Sequence, residues 1–461
     1  MDSWETASVA MLLIRNAELK GVPGVDVRCR GGRIVEIGSL VAAEGERILE
    51  ADGGALLPGL HDHHLHFFAL AAALRSVRCG PPDVCDAAAL AAALGDAPGD
   101  GWIRGVGYHE SVAGRLDRGK LDGLVTDRPV RIQHRSGKMW FVNTAAARAL
   151  GLGPDSNGRL FRRDRWLGTR VDGDVDVAGT TRLLAYRGVT GFTDATPHND
   201  PAAARDLGAA APLQRVIAMG DESLSEGALK IMLDDFELPG IDALRTRMTR
   251  AHAAGRPVAV HCVTRTELVF ALSTLLEAGT LPGDRIEHAS VADAAGMELL
   301  AQAGVTVVTQ PNFIVERGDR YLADVPASDH AHLYRGQGFL DAGVPLGGGS
   351  DAPFGEADPW LAMRAAVTRE THTGSVLGAR EALSPERALA LFTTPPEDPG
   401  GAPRRVRVRE AADLCLLDRP WSAARVALSR DLVAATMVAG KVTFASEGLR
   451  DTAAASDIDN G

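Results

Sequence analysis

The stretch PGLHDHHLH at positions 58–66 places four of the chain's thirteen histidines within six residues, directly after an apolar, strand-like run. On a strand, residues i and i+2 point to the same side, so His64 and His66 can present two imidazoles to one metal while His61 and His63 face away. Asp62 joins them only if it shares that face. Three later strand-like runs end in residues of related chemistry, Lys230 in ALKIML, His261 in AVHC and His288 in RIEHA, and Asp351 follows GGGS. Singly, each has a plainer reading: a core histidine bonded to a carbonyl, a snorkelling lysine, a helix N-cap aspartate. Jointly, five strand ends offering His, Lys or Asp are what a metal site at the mouth of a barrel requires.

The elements that must position these residues are legible as texture. Eight β-rich segments, at 55–60, 189–195, 213–219, 228–233, 257–262, 285–289, 305–310 and 344–349, alternate with Ala/Leu/Arg-rich stretches of helical period. Eight strands suit a (β/α)8 TIM-like barrel, with its site at the strands' C-terminal ends. The stretch from 60 to 189 is too long for one connection and predicts an insertion with structure of its own, including PVRIQH at 129–134 and the helix-like TAAARALGL. Short β runs and Gly turns fill the first 56 residues and return near the C-terminus, with Ala439-Gly440 as a tight turn, so the two chain ends can pair into one small β domain.

Composition narrows the function class. The 461 residues are 45% apolar and 24% charged, as in a globular enzyme. Against 49 basic residues stand 60 acidic ones, a net −11, which argues against nucleic-acid or anionic-membrane partners and for a small-molecule substrate. Five scattered cysteines without a C-x-x-C pair fit neither a disulfide framework nor a cysteine zinc site. The absence of a basic leader and of an 18-residue apolar run leads to the expectation of a cytoplasmic protein. No G-x-S-x-G elbow or phosphate loop supports serine-hydrolase or nucleotide chemistry. Whether the chain is a monomer or a homo-oligomer stays open.

The ordered set PGL-x-D-x-H-x-H, strand Lys, strand His, E-His and G-S-D resembles the amidohydrolase superfamily of metal-dependent hydrolases. The flanking GWIRGVGYHES, RSGKMWFVNTAAARALGL, KIMLDD, QPNF and GGGSDAPF are similar to the branch that includes N-substituted formamide deformylases, over roughly Leu12 to Phe444. The resemblance implies a barrel over 57–398 with an insertion at about 75–188, a composite β-sandwich from 1–56 and 399–447, and a disordered tail at 448–461. It implies that His64 and His66 bind the more buried of one or two divalent metals and that His261 and His288 bind the second. Lys230 matches a position that many relatives carbamylate to bridge both ions, and Asp351 would contact the first metal and act as general base. Zinc, iron, manganese and nickel all suit such ligands.

One departure stands out. Where relatives usually read D-G-H, this chain has Ser136-Gly137-Lys138, so Lys138 stands in for a substrate-binding histidine. The run QPNFIVERGDRYL reads as a loop above the mouth, offering Arg317, Arg320 and Tyr321 to an anionic substrate group. Solvent ion pairs with Glu316 and Asp319 are the competing reading. Trp102, His109 and Trp140 are candidate pocket walls. The expected activity is hydrolysis of a linear or cyclic C–N amide-type bond. The alternatives are decarboxylation or ester hydrolysis on the same site, or a binding protein without turnover.

Overall fold

The computed structural model describes residues 11–171 and 175–453. The chain divides into two compact units. The first holds the residues up to His66, Thr181–Asp351 and those from Gly355 onward; the second holds Phe67–Thr180 with Ala352–Phe354. The second unit runs from Phe67 to Thr180, against the 75–188 expected for the insertion.

Eight parallel strands organise the first unit. They are β1 (Leu60–Leu65), β2 (Val189–Asp194), β3 (Arg215–Ala218), β4 (Leu229–Met232), β5 (Val258–Cys262), β6 (Arg285–His288), β7 (Thr306–Thr309) and β8 (Leu346–Gly348). Strands β3, β2 and β1 form one sheet and β4 to β8, in order, another; a parallel bridge between Gly220 and Leu229 joins β3's exit to β4. Every residue of β1 and β2 is buried, as expected of parallel strands covered on both faces. Helices follow most strands, and their starts are written in the sequence. Asp200, Asp293 and Asp358 cap first turns, and Thr264 with Glu267 forms a reciprocal capping box at Arg265–Ala278.

The first strand differs from its expected position. Leu56–Pro58 belongs to another sheet, antiparallel to Leu414–Leu417, and the histidine cluster itself forms β1. The break falls at Pro58-Gly59: a Cβ on Gly59 would lie 2.2 Å from Thr190 Cγ2, so only glycine lets the chain pass β2 there.

Residues from both chain ends build the remaining sheets of this unit. One runs in the order Asp451–Ala453, Arg47–Glu50, Met11–Leu19, Val22–Arg30, Arg33–Gly38. The other runs Lys441–Ala445, Val433–Val438, Leu414–Leu417, Leu56–Pro58. Leu12, Ile14 and Leu49 from the first share one buried cluster with Leu414, Leu416 and Met437 from the second. Part of the expected tail is thus structured: Asp451–Ala453 pairs with Arg47–Leu49, and Leu449 packs on that cluster. Backbone pairing offsets the polar composition on which the expectation of disorder rested. Residues 454–461 of that stretch lie outside the described residues.

The second unit is a five-stranded sheet, ordered Arg159–Phe161, Met139–Val142, Val130–His134, Ile103–Tyr108, Val77–Arg78. Its short helices include Thr144–Ala149, within the expected TAAARALGL helix. Ser136-Gly137 turns the chain between two of the strands, with Gly137 at φ +74°.

Candidate metal centre

Residues in or just after β1, β4, β5, β6 and β8 supply the candidate ligands, Lys230 from within β4. One ligand atom from each of His64, His288 and Asp351 lies within 4.8 Å of the others, and all three residues are buried. Asp351 Oδ1 stands 3.5 Å from His64 Nε2 and 3.4 Å from His66 Nε2. The His261 ring centroid is 4.5 Å from that of His288, which is 4.8 Å from that of His64.

The other nitrogen of three of these rings is already engaged. His64 Nδ1 donates to the Glu287 carboxylate, His288 Nδ1 donates to Gln310 Oε1 at 2.7 Å, and His66 Nδ1 pairs with Thr196 Oγ1 at 3.2 Å. A ring held by its Nδ1 has its orientation fixed and keeps Nε2 for an ion, the arrangement found around metal-ligating histidines. Burial pulls the His64 imidazolium down to about 3, helped by the Lys230 charge, and lowers His261 and His288 too. These imidazoles are neutral at ordinary pH, which is the ligating form.

Lys230 is 1% exposed, and its Nζ has no hydrogen-bond partner among the described residues. Burial lowers its pKa, against the pull of Glu287. An orphaned buried amine is costly as it stands, and the neutral imidazoles with the Asp351 carboxylate are a donor set that fits a divalent cation.

Local geometry explains how the loops hold these groups. His288, Ala289 and Asp351 all occupy the left-handed region, at φ 72°, 44° and 56°. Each such non-glycine residue costs on the order of 1–3 kcal/mol and persists where surrounding contacts over-determine it. One clamp is visible: Asp62 Oδ1 accepts from the backbone N–H of His64 (3.1 Å) and of Ser350 (3.0 Å), while Asp351 N–H donates to the His64 carbonyl at 2.7 Å. Asp62 therefore ties β1 to the loop after β8 and aims Asp351. His61 and His63 face away as expected, bonded to Thr193 and Thr394.

A family model described as "Amidohydrolase family" matches residues 47–444. The chain belongs to this amidohydrolase family. It is thereby a metal-dependent hydrolase of the class acting on carbon–nitrogen bonds other than peptide bonds. The N-substituted formamide deformylase of Arthrobacter pascens is 24% identical over 95% of this chain and 99% of its own length. Among solved structures, an uncharacterized metal-dependent hydrolase from Pyrococcus horikoshii superposes with a TM-score of 0.69 at 21% identity, covering 89% of this chain and 98% of that one. N-isopropylammelide isopropylaminohydrolase from Burkholderia multivorans gives 0.56 at 18% identity, covering 94% and 98%. These structural likenesses speak for the fold.

The amidohydrolase chain treats the expected substrate-side residues unevenly. QPNFIVERGDRYL is not a loop: Asn312–Asp324 is a helix with Phe313 and Ile314 buried at its base. Arg320 lies on its exposed side, ion-paired with Asp324 one turn on at 2.8 Å, so the solvent reading holds with a different partner. Arg317 lies within reach of the Asp351 charge. Its guanidinium sits 4.0 Å from the Phe313 ring centroid; burial opposes its charge, but Tyr321, Tyr334, Glu316 and Asp351 outweigh that and raise its pKa. Tyr321 OH meets Tyr334 OH at 3.2 Å on the wall of a cavity of about 420 Å³, lined also by Val263 and Thr264 after β5, Ser290 after β6 and Leu333 between β7 and β8. Neither this cavity nor a larger one of about 720 Å³ is lined by any of the six candidate ligands.

Lys138, His109 and Trp140 belong to the second unit. Lys138 ends the Ser136-Gly137 turn and accepts from Arg162 N–H through its carbonyl. His109 caps Glu110–Ala113 through Nδ1, and Trp140 Nε1 donates to Asp164 at 2.7 Å. Sequence reasoning missed Glu287, Gln310, Thr196 and the clamp role of Asp62. Glu287 has a signal, being the residue before a strand-end histidine, but its partner lies 223 positions away.

Proposed function

We propose that this amidohydrolase cleaves the C–N bond of an N-acyl small molecule, with an N-substituted formamide as the leading candidate and a cyclic amide as the next. The observation that carries the reading is the convergence of His64, His288 and Asp351 beside an orphaned Lys230. The similarity to a formamide deformylase over nearly the whole of both chains supports the choice of formamide. The eight parallel strands are read as a closed (β/α)8 barrel and the two terminal sheets as a composite β-sandwich, the architecture that puts strand ends at one mouth.

In this reading His64, His66, His261 and His288 hold one or two divalent ions, zinc first among the candidates. Lys230 carbamylated by CO₂ completes the set and relieves its unpartnered amine. A bound divalent ion supplies an electrophile for the scissile carbonyl and lowers the pKa of water towards 7. Asp351, whose carboxyl the neighbouring His66 holds below its ordinary range against the effect of burial, takes a proton from the attacking water. It then returns the proton to the departing nitrogen, so that water adds hydroxyl to the acyl carbon and hydrogen to the amine. Arg317, within reach of the Asp351 charge, and Tyr321, on the wall of the smaller cavity, orient the acyl substrate and favour one with an anionic group.

The test is a substrate panel of N-alkyl formamides, N-acyl amino acids, cyclic imides, carboxylic esters and aryl carboxylic acids, followed by amine, acid and CO₂ release. Formamides should turn over at least tenfold faster than the esters. Turnover of esters, or CO₂ release from the acids, with every amide inert would replace this reading by the esterase or decarboxylase alternative.

A further inference from the structure

We propose that Arg104, Arg131, Trp102 and Trp140 in the second unit form a binding site for a compact oxyanion, a carboxylate or phosphate. Arg104 and Arg131 face each other across neighbouring parallel strands, so their side chains leave the same face of the sheet. The opposite face carries Ile103, Val130, Ile132 and Phe141 and is filled by the unit's apolar core. Arg131 is 7% exposed, and its Nε has no hydrogen-bond partner among the described residues. Its guanidinium lies 5.6 Å from the Trp140 ring centroid and 6.0 Å from that of Trp102. The Arg104 guanidinium is 5.5 Å from Trp140, and its Nη1 donates to Ser76 Oγ at 2.5 Å.

Two guanidiniums thus share one indole-walled face, and among the described residues Asp164 is the carboxylate whose charge reaches Arg104. Asp164 is exposed, and its Oδ1 already accepts from Trp140 Nε1 and from Gln133 Nε2 at 3.1 Å. Cation–π contact with indole offsets only part of the cost of burying an arginine. Burial lowers the pKa of both groups, Arg104 to about 10 with Arg131's repulsion adding to it, which is the electrostatic state an incoming anion would relieve. A planar fork of N–H donors matches two oxygens of a carboxylate or phosphate. The indoles keep water off the pair and strengthen the contact. The proposal rests on residues of the second unit alone and stands whether or not that reading holds.

Sodium acetate and inorganic phosphate are titrated into the metal-loaded protein at constant ionic strength in chloride, with tryptophan fluorescence and the thermal midpoint followed. Wild type should respond saturably to at least one anion, and which one responds identifies the class. Arg131→Met and Arg104→Met should each weaken half-saturation at least tenfold. Arg131→Met without anion should be no less stable than wild type, because an apolar chain replaces an unpaired cation. No saturable response beyond that of chloride would overturn the proposal. Unchanged half-saturation in the variants would do so too, since the anion would then sit elsewhere, for instance at the metal centre. Should Arg131→Met fail to fold, Arg104→Met and the wild-type titration decide the question.

Discussion

Glu287 does for His64 what no ligand can do for itself. It is fully buried between the His64 ring and Arg285, whose Nε donates to it at 2.5 Å, and Arg285 also donates to the His63 carbonyl at 3.0 Å. Burial works against its charge, but Arg285, Lys230 and His64 outweigh this and hold it ionised. Glu287→Gln keeps the shape and removes the charge, so we expect metal affinity or kcat/KM to fall about 10–100-fold while the fold survives. Metal titration of the chelator-stripped variant checks this, and wild-type affinity would show that Glu287 is only a core carboxylate. The candidate ligands His64, His66, Lys230, His261, His288 and Asp351 were readable because each lies in or shortly after a strand-like run. Glu287, Gln310 and Thr196 were not, because their roles depend on pairings between strands far apart in the chain.

At the scale of elements, close passage of β1 and the loop after β8 sets the centre. A Cβ on Gly349 would lie 2.6 Å from His64 Cβ and 2.7 Å from the His64 backbone nitrogen, so no flexible side chain can yield to make room. Gly349→Ala should shift β1 against β8, cost about 1–3 kcal/mol by overpacking and reduce bound metal. Thermal unfolding together with metal content tests it; an alanine variant with unchanged midpoint and metal would contradict the close passage. Strand existence and order were legible from β-branched runs alternating with helical period. The offset of β1 was misjudged because ALLPGL is apolar enough to be a core strand, and only its pairing with Leu414–Leu417 assigns it elsewhere. The helix at Asn312–Asp324 was taken for a loop because its charged residues hide a short apolar face made by Phe313 and Ile314.

The whole molecule is acidic, at −11, and among the described residues no helix is long and apolar enough to cross a membrane. Its five cysteines are all free, four of them buried and Cys85 exposed. Burial pushes the Cys29, Cys79 and Cys415 thiols up to about 12 and Cys262 well above its ordinary value. At pH 8 a thiol with a pKa of 12 is roughly one part in ten thousand thiolate, so alkylation of the native protein should mark Cys85 alone. Peptide mapping after iodoacetamide reads this directly, and rapid labelling of Cys262 would mean that β5 opens in solution. Composition had excluded polyanion partners, yet the Arg104–Arg131 pair shows how an acidic chain can still concentrate positive charge locally. That pair was invisible in the sequence because its members are 27 positions apart and meet only through strand register.

The central claim is that six side chains at one set of strand ends hold the ion on which hydrolysis depends. Metal content per chain, measured on wild type, His64→Ala and Lys230→Ala purified identically, tests it most directly. We expect one or two divalent ions in wild type and a marked loss in both variants, with amide hydrolysis lost in step. Wild-type metal content and turnover in His64→Ala would contradict the account.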